Sequence, residues 1–157
     1  MLKIQLVTPK LEDSDEIFNL VDRNRSELKH WLPWVRLMKS SADETNFLRN
    51  SLKDSTKLTF GIVINQNFVG MIDLHEIKSE TAEVGYWLDK DSVGKGIGSS
   101  ALKNLETLST RDYKIRELKI ILNMDNQKSM NVAKRNGYQF IEQNGQNLVF
   151  KKELEIF

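Results

Sequence analysis

The sequence predicts a mixed α+β domain, with a sheet of six or seven mostly antiparallel strands and about four helices, and three observations carry that prediction. Segments of period two and segments of helical period interleave along the whole chain. Three strand-like runs follow one another at 58–64, 68–75 and 81–88, and a glycine loop, Gly94-Lys95-Gly96-Ile97-Gly98, separates the last of them from a helical stripe.

Taken in order, Leu2 to Thr8 alternates apolar and polar residues as a strand does, and Pro9, which has no N–H for a ladder, closes it. Asp13 with Glu16 resembles a helix start, and Ile17, Leu20, Val21 and Leu28 follow at helical spacing, so a first helix is expected over 13–29. After a Trp31-Leu32-Pro33-Trp34 turn, Ser41 and Glu44 make a capping-box pattern ahead of Phe47, Leu48 and Leu52 on one side of a second helix.

The period then changes to two. Asn65-Gln66-Asn67 separates the first pair of β-rich runs as a short hairpin, and Thr81 to Leu88 extends the meander. Beyond the glycine loop, Ile97, Ala101, Leu102, Leu105 and Leu108 form one stripe of a helix that packs on the sheet. Glu117 to Met124 reads as a strand, and Asn126 to Asn136 as a short helix closed by Gly137 as a left-handed cap. Tyr138 to Gln143 and Asn147 to Glu153 are strands joined at the Asn144-Gly145 turn signal. No interior linker, repeat or low-complexity tract divides the order β-α-α-β-β-β-α-β-α-β-β, and 157 residues suit one domain.

Composition narrows the function classes. The 23 basic and 22 acidic residues nearly cancel and are scattered, which argues against nucleic acid as a partner. With no cysteine there is no disulfide framework, thiolate metal site or cysteine nucleophile, and a cytoplasmic address fits. Apolar runs are only strand-length, so neither a membrane span nor a signal segment is expected. His30 and His75 stand apart without zinc-ligand spacing, so no metal is expected, and no GxSxG elbow exposes a serine nucleophile.

The glycine loop is the strongest local signal. A strand ending at Leu88, followed by glycines that open a helix, aims free backbone N–H groups and the positive end of a helix dipole at an anion, and Lys95 adds charge. Glycine serving only the packing of a strand-to-helix connection is the plain alternative. A Walker loop would have Ser or Thr after Gly-Lys, and a dinucleotide fingerprint would sit in an early parallel unit; neither fits.

Three separated motifs, Ala82-Glu83-Val84-Gly85-Tyr86-Trp87-Leu88, the GKGIG loop, and Asn126-Gln127-Lys128-Ser129 running to Asn136-Gly137-Tyr138, resemble the GNAT N-acetyltransferases, closest to the RimL-like branch. The resemblance covers nearly the whole chain, including the Trp31-Leu32-Pro33-Trp34 turn. It implies a fold whose fourth and fifth strands splay into a V, with the pantetheine arm of acetyl-CoA lying beside Tyr86, Trp87 and Leu88 and the pyrophosphate on Gly94, Lys95, Gly96, Ile97, Gly98 and Ser99. It also implies acetyl transfer to a primary amine, on a protein N-terminus or a small molecule, by direct attack in a ternary complex. A homodimer is compatible with it.

By the same resemblance, Glu83 is the candidate base for the acceptor ammonium, against the alternative of a sheet-surface glutamate in a salt bridge. The Leu88 N–H is the candidate donor to the acetyl carbonyl. Ser129 is the candidate partner of the departing thiolate, or else a helix-start residue, with Asn126 contacting pantetheine. Trp31 and Trp34 are candidate walls of the acceptor pocket, or else core. The chain departs from the family in having Val93 where Gln or Arg is frequent, Ala133 where many members place a tyrosine general acid, and a final hairpin over 140–152 shorter than is common. These departures keep a second reading open, a non-catalytic acetyl-CoA-binding sensor or interaction module.

Overall fold

The computed structural model describes residues 3–155. Its seven strands are β1 (Gln5–Val7), β2 (Leu58–Ile64), β3 (Asn67–Lys78), β4 (Thr81–Leu88), β5 (Glu117–Asn123), β6 (Gln139–Asn144) and β7 (Asn147–Glu153). Its helices are α1 (Ser14–Arg23), α2 (Arg25–Leu28), α3 (Ser41–Lys53), α4 (Ile97–Tyr113) and α5 (Gln127–Arg135), with 3-10 turns at Leu11–Asp13, Pro33–Leu37 and Lys90–Ser92. One sheet holds all the strands in the order β1-β2-β3-β4-β5-β7-β6, antiparallel except for the parallel β4–β5 pair.

Alternation along each strand sends side chains to two apolar layers. Leu74, Val84, Leu118 and Ile120 meet Ile97, Ala101, Leu102 and Leu105 of α4 and Ala133 of α5 on one face. Met71 and Trp87 meet Ile17 and Val21 of α1 and Leu48 of α3 on the other. Truncating a fully buried side chain such as Leu105 would cost about 2–5 kcal/mol through lost burial and the cavity left behind.

Several boundaries differ from the sequence reading for identifiable reasons. The first strand is shorter, Gln5–Val7, and Leu2 lies outside the described residues. Asp13 does not cap α1 with its side chain; it ends a 3-10 turn, and its carboxylate accepts the Lys10 N–H at 2.7 Å. The single helix expected over 13–29 is broken at Asn24, which leaves the helical region (φ −107°, ψ 8°) as its side chain bonds to another element. The cap of α3 falls one residue earlier than expected, where Ser40 in extended conformation accepts the Asp43 N–H at 3.2 Å. Glu44 is thereby turned inward and is buried. Gly137 caps α5 as expected: at φ +85° it lets Tyr138 N–H reach Ala133 O at 3.0 Å and its own N–H reach Lys134 O at 3.1 Å.

Candidate functional site

The parallel β4–β5 pairing starts at Thr81↔Glu117 and ends at Val84↔Ile120. Past that point β4 stays paired with β3 through Leu88↔Gly70, whereas β5 pairs only with β7. The strands therefore splay, and Gly85 to Leu88 present an unpaired edge. Backbone amides alternate in direction along a strand. Asp89 N–H points to β3, where it donates to Val69 O at 2.8 Å, so the amide of Leu88 and that of Tyr86 face the gap. The gap is a cleft of about 1040 Å³ that runs from Glu83 to Leu88, past Val93, Gly94, Gly96 and Ile97 to Ser99, and across to Asn126 and Ser129.

The glycine loop forms one end of this cleft. Gly94 (φ +81°) and Gly96 (φ +77°) take left-handed conformations that side chains disfavour, and Gly96 is the N-cap residue of α4. Lys95 is exposed and lies outside the cleft lining, whereas Lys90, Lys128 and Arg135 line it. Val93 is exposed at the same end. At Gly98 a side chain would project toward Leu88 Cδ1 and Tyr86 Cε2, 3.4 and 3.8 Å from an added Cβ, so the missing side chain keeps the cleft floor open.

The segment leading into the loop is held by a buried polar staple. Asp89 is 4% exposed and Asn24 2%. Asn24 Nδ2 donates to Asp89 Oδ1 and to Leu20 O, both at 2.7 Å, and Asn24 Oδ1 accepts the Lys90 N–H at 2.9 Å. The Arg23 guanidinium also binds the Asp89 carboxylate. Burial opposes ionisation of Asp89, but the Arg23 and Asn24 hydrogen bonds with the Arg23 charge hold its carboxyl below the usual range.

On the far wall, Asn126 caps α5 by accepting the Ser129 N–H at 3.2 Å, which turns Ser129 toward the cleft. The Tyr86 hydroxyl donates to Ser129 Oγ at 3.2 Å. Burial pushes the Tyr86 hydroxyl above the ordinary tyrosine range, only partly offset by Ser129, so it remains a neutral donor. Ala133 is wholly buried in the core and does not line the cleft.

On the α1–α3 side of the sheet lies Glu83, with 19% of its side chain exposed. Its Oε1 is 3.3 Å from His75 Nε2, and His75 Nδ1 is 2.9 Å from Asp73 Oδ1, which also accepts the Gly85 N–H at 3.1 Å. The hydrogen bond to Asp73, then that to Glu83, pushes the His75 pKa up to about 10 against the effect of burial. At neutral pH the His75 imidazole is thus protonated, held between the two acidic side chains. Trp31 lines the cleft, whereas Trp34 stacks on Phe47 at 5.6 Å between centroids and is absent from the lining.

The structure therefore gathers Glu83, Tyr86, Trp87, Leu88, Gly94, Gly96, Ile97, Gly98, Ser99, Asn126, Ser129 and Trp31 around one cleft, and leaves Trp34 and Lys95 outside its lining. Sequence reasoning missed Asp73, His75, Asn24, Asp89 and the hydroxyl of Tyr86. Asn24 had no signal, because its partner lies 65 residues away. His75 had a weak one in its position on a strand ahead of a tight turn. Among the described residues, no group of His, Asp and Glu is arranged to hold a metal ion, and no helix is long and apolar enough to cross a membrane.

The chain matches the acetyltransferase (GNAT) domain family over residues 3–139. It is 31% identical over 144 residues to the YdaF protein of Bacillus subtilis (strain 168), covering 87% of this chain and 77% of that one. It is 30% identical over 128 residues to the ribosomal-protein-serine acetyltransferase of Escherichia coli (strain K12), covering 78% and 71%. The solved structure of RimL, a ribosomal L7/L12 alpha-N-protein acetyltransferase in complex with coenzyme A, superposes with a TM-score of 0.89 at 23% identity, over 96% of this chain and 94% of that one.

Proposed function

The chain belongs to the GNAT acetyltransferase family, and from that premise we propose that it transfers the acetyl group of acetyl-CoA to the primary amine of a protein N-terminus, both partners being bound together. The observation that carries this reading is the single continuous cleft that joins the glycine loop, the unpaired edge of β4, Ser129 and Glu83. The residues fit the coenzyme: free strand amides suit an amide-bearing arm, the open floor at Gly98 leaves room for it, and loop amides with Lys90, Lys128 and Arg135 suit phosphate. Acetyl-CoA supplies an activated acyl group on a thiol leaving group.

The chain's own groups then divide the work. The Leu88 amide, aimed into the gap, donates to the acetyl oxygen as negative charge builds there. Glu83 attracts the acceptor ammonium and takes its proton directly or through water, with His75, braced by Asp73, orienting its side chain. Ser129 directs its O–H as a hydrogen-bond donor toward the departing sulfur, and Tyr86 O–H, donating to Ser129 Oγ from behind and keeping its own proton, strengthens that donor. Ser129, backed by this tyrosine of β4, stands in for the tyrosine absent at Ala133. The Escherichia coli relative is named for acting on a ribosomal-protein serine, which supports a protein N-terminus as the acceptor and a cytoplasmic setting.

The test is calorimetric titration with acetyl-CoA, coenzyme A, ATP and NAD, followed by thiol release against N-terminal peptides and small amines. Acetyl-CoA binding with amine-dependent thiol release is expected, and Glu83→Gln and Ser129→Ala are expected to lower kcat at least tenfold with coenzyme affinity kept. Binding without turnover on any amine would refute the enzyme reading in favour of a sensor.

A further inference from the structure

Next to Glu83 the sheet carries a second depression, of about 800 Å³, on the face where α1–α3 pack. Its floor is built from β4, β5 and β7, and Glu83 lines both it and the coenzyme cleft. Those helices pack on β2, β3 and Trp87 of β4, and on this side Ile121 of β5, which points the same way as Lys119, is 38% exposed, while Lys119 and Lys151 are half-buried. An open, sheet-floored groove leading to a reactive corner suits an extended chain better than an enclosed small amine.

Three charged residues cross this floor in one row, because Glu83 is the register partner of Lys119 and Lys119 that of Lys151. Two lysines directly opposite each other on an antiparallel pair repel, an arrangement that a sheet tolerates poorly unless an anion joins it. Nearby carboxylates do not resolve it. Glu83 is turned to His75, and Glu117 reaches Lys151 only at 3.9 Å, so Lys119 between them has no ion-pair partner among the described residues. Neighbouring strands lie about 4.8 Å apart, so an amine held at Glu83 has Lys119 about 5 Å and Lys151 about 10 Å away across the groove.

We propose that this groove binds the first residues of the acceptor chain and selects a protein N-terminus with Asp or Glu within its first three positions, the ammonium at Glu83 and the acidic side chain at Lys119 and Lys151. An extended peptide advances about 3.3 Å per residue, so its second and third residues lie about 3 and 7 Å from the ammonium, on either side of Lys119, with Lys151 just beyond them. This rests on the acetyl-transfer reading above, and it adds the substrate class to it.

The experiment uses the full chain at saturating acetyl-CoA and measures kcat/KM for matched peptides that carry Glu, Ala or Lys at the second position, and for free aspartate. The glutamate peptide should exceed the lysine peptide by about five- to tenfold, the scale of one half-exposed ion pair gained against one repulsion, and 0.5 M salt should shrink that ratio. Lys119→Glu, and independently Lys151→Glu, should lower or invert the ratio, with calorimetric acetyl-CoA binding as the check that each variant is folded. Equal rates for the three peptides, a ratio untouched in both variants, or a higher kcat/KM for free aspartate than for any peptide would overturn the proposal alone. Failure to acetylate every acceptor would overturn the acetyl-transfer reading and take this proposal with it.

Discussion

Replacing Asn24 by alanine tests whether the staple between α1 and the glycine loop places the coenzyme site. The substitution removes three hydrogen bonds at once, to Asp89 Oδ1, to Leu20 O and from Lys90 N–H. The first is charge-assisted and buried, with a cost of about 1.5–3 kcal/mol, and the loss of the others adds about 1 kcal/mol: exposed Lys90 regains water, whereas Leu20 O loses a donor that the Asn24 N–H, bonded to Val21 O, does not replace. Asp89 retains Arg23, which limits the damage to roughly 3 kcal/mol. For a chain of this size that corresponds to a fall in Tm of about 6–12 °C, read by thermal unfolding with a urea titration at unchanged m-value. Because Asn24 also anchors the Lys90 backbone, coenzyme affinity should fall as well, read by calorimetry well below the new Tm. A Tm change under about 2 °C would refute the energetic assignment. A large Tm change with undiminished coenzyme affinity would refute the claim that the staple positions the loop.

Other consequences follow from single sites. Gly98→Ala should be tolerated, whereas Gly98→Val, whose methyl groups extend toward Leu88 and Tyr86 across the cleft floor, should weaken coenzyme binding at least tenfold by calorimetry while shifting Tm by only a few degrees. Tyr86→Phe should lower kcat with little change in KM, and no change in kcat would refute its support of the Ser129 donor. The Glu44 carboxyl, buried with Oε2 unpartnered, is pushed up to about 7 by burial. Its folded pKa lies above the unfolded value, so the stability it contributes is present below pH about 4.5 and lost as pH rises through 7. Glu44→Gln should therefore gain on the wild type between pH 5 and 8 by up to roughly 3 kcal/mol, read from urea midpoints. His75 is likewise raised, to about 10, by Asp73 and then Glu83, so its stabilising contribution is complete below pH 6.5 and lost as pH climbs through 10. His75→Gln should flatten the decline in stability over that window.

The sequence by itself determined the element order, the sheet's meander, the glycine loop and the two motif-bearing segments, because each follows from local causes: side-chain period, turn chemistry and the conformational freedom of glycine at Gly94, Gly96 and Gly137. The splay of β4 from β5 was legible only through the family resemblance, since no local feature of Val84 or Ile120 says where pairing ends. Only the tertiary structure decided what surrounds Glu83. Counting back from Lys78↔Thr81 would set His75 opposite Val84, but the extra residue near Glu76, at φ +50°, shifts the register by one and sets His75 against Glu83 instead. One bulge thus chose the partner of the candidate base, and a register shift of one residue exchanges the faces of a strand. Asn24 and Asp89, the Tyr86–Ser129 pair, and the row from Glu83 to Lys151 have the same origin. Each joins residues from separate elements, and such contacts depend on how whole elements pack, which the local propensities of a chain do not encode.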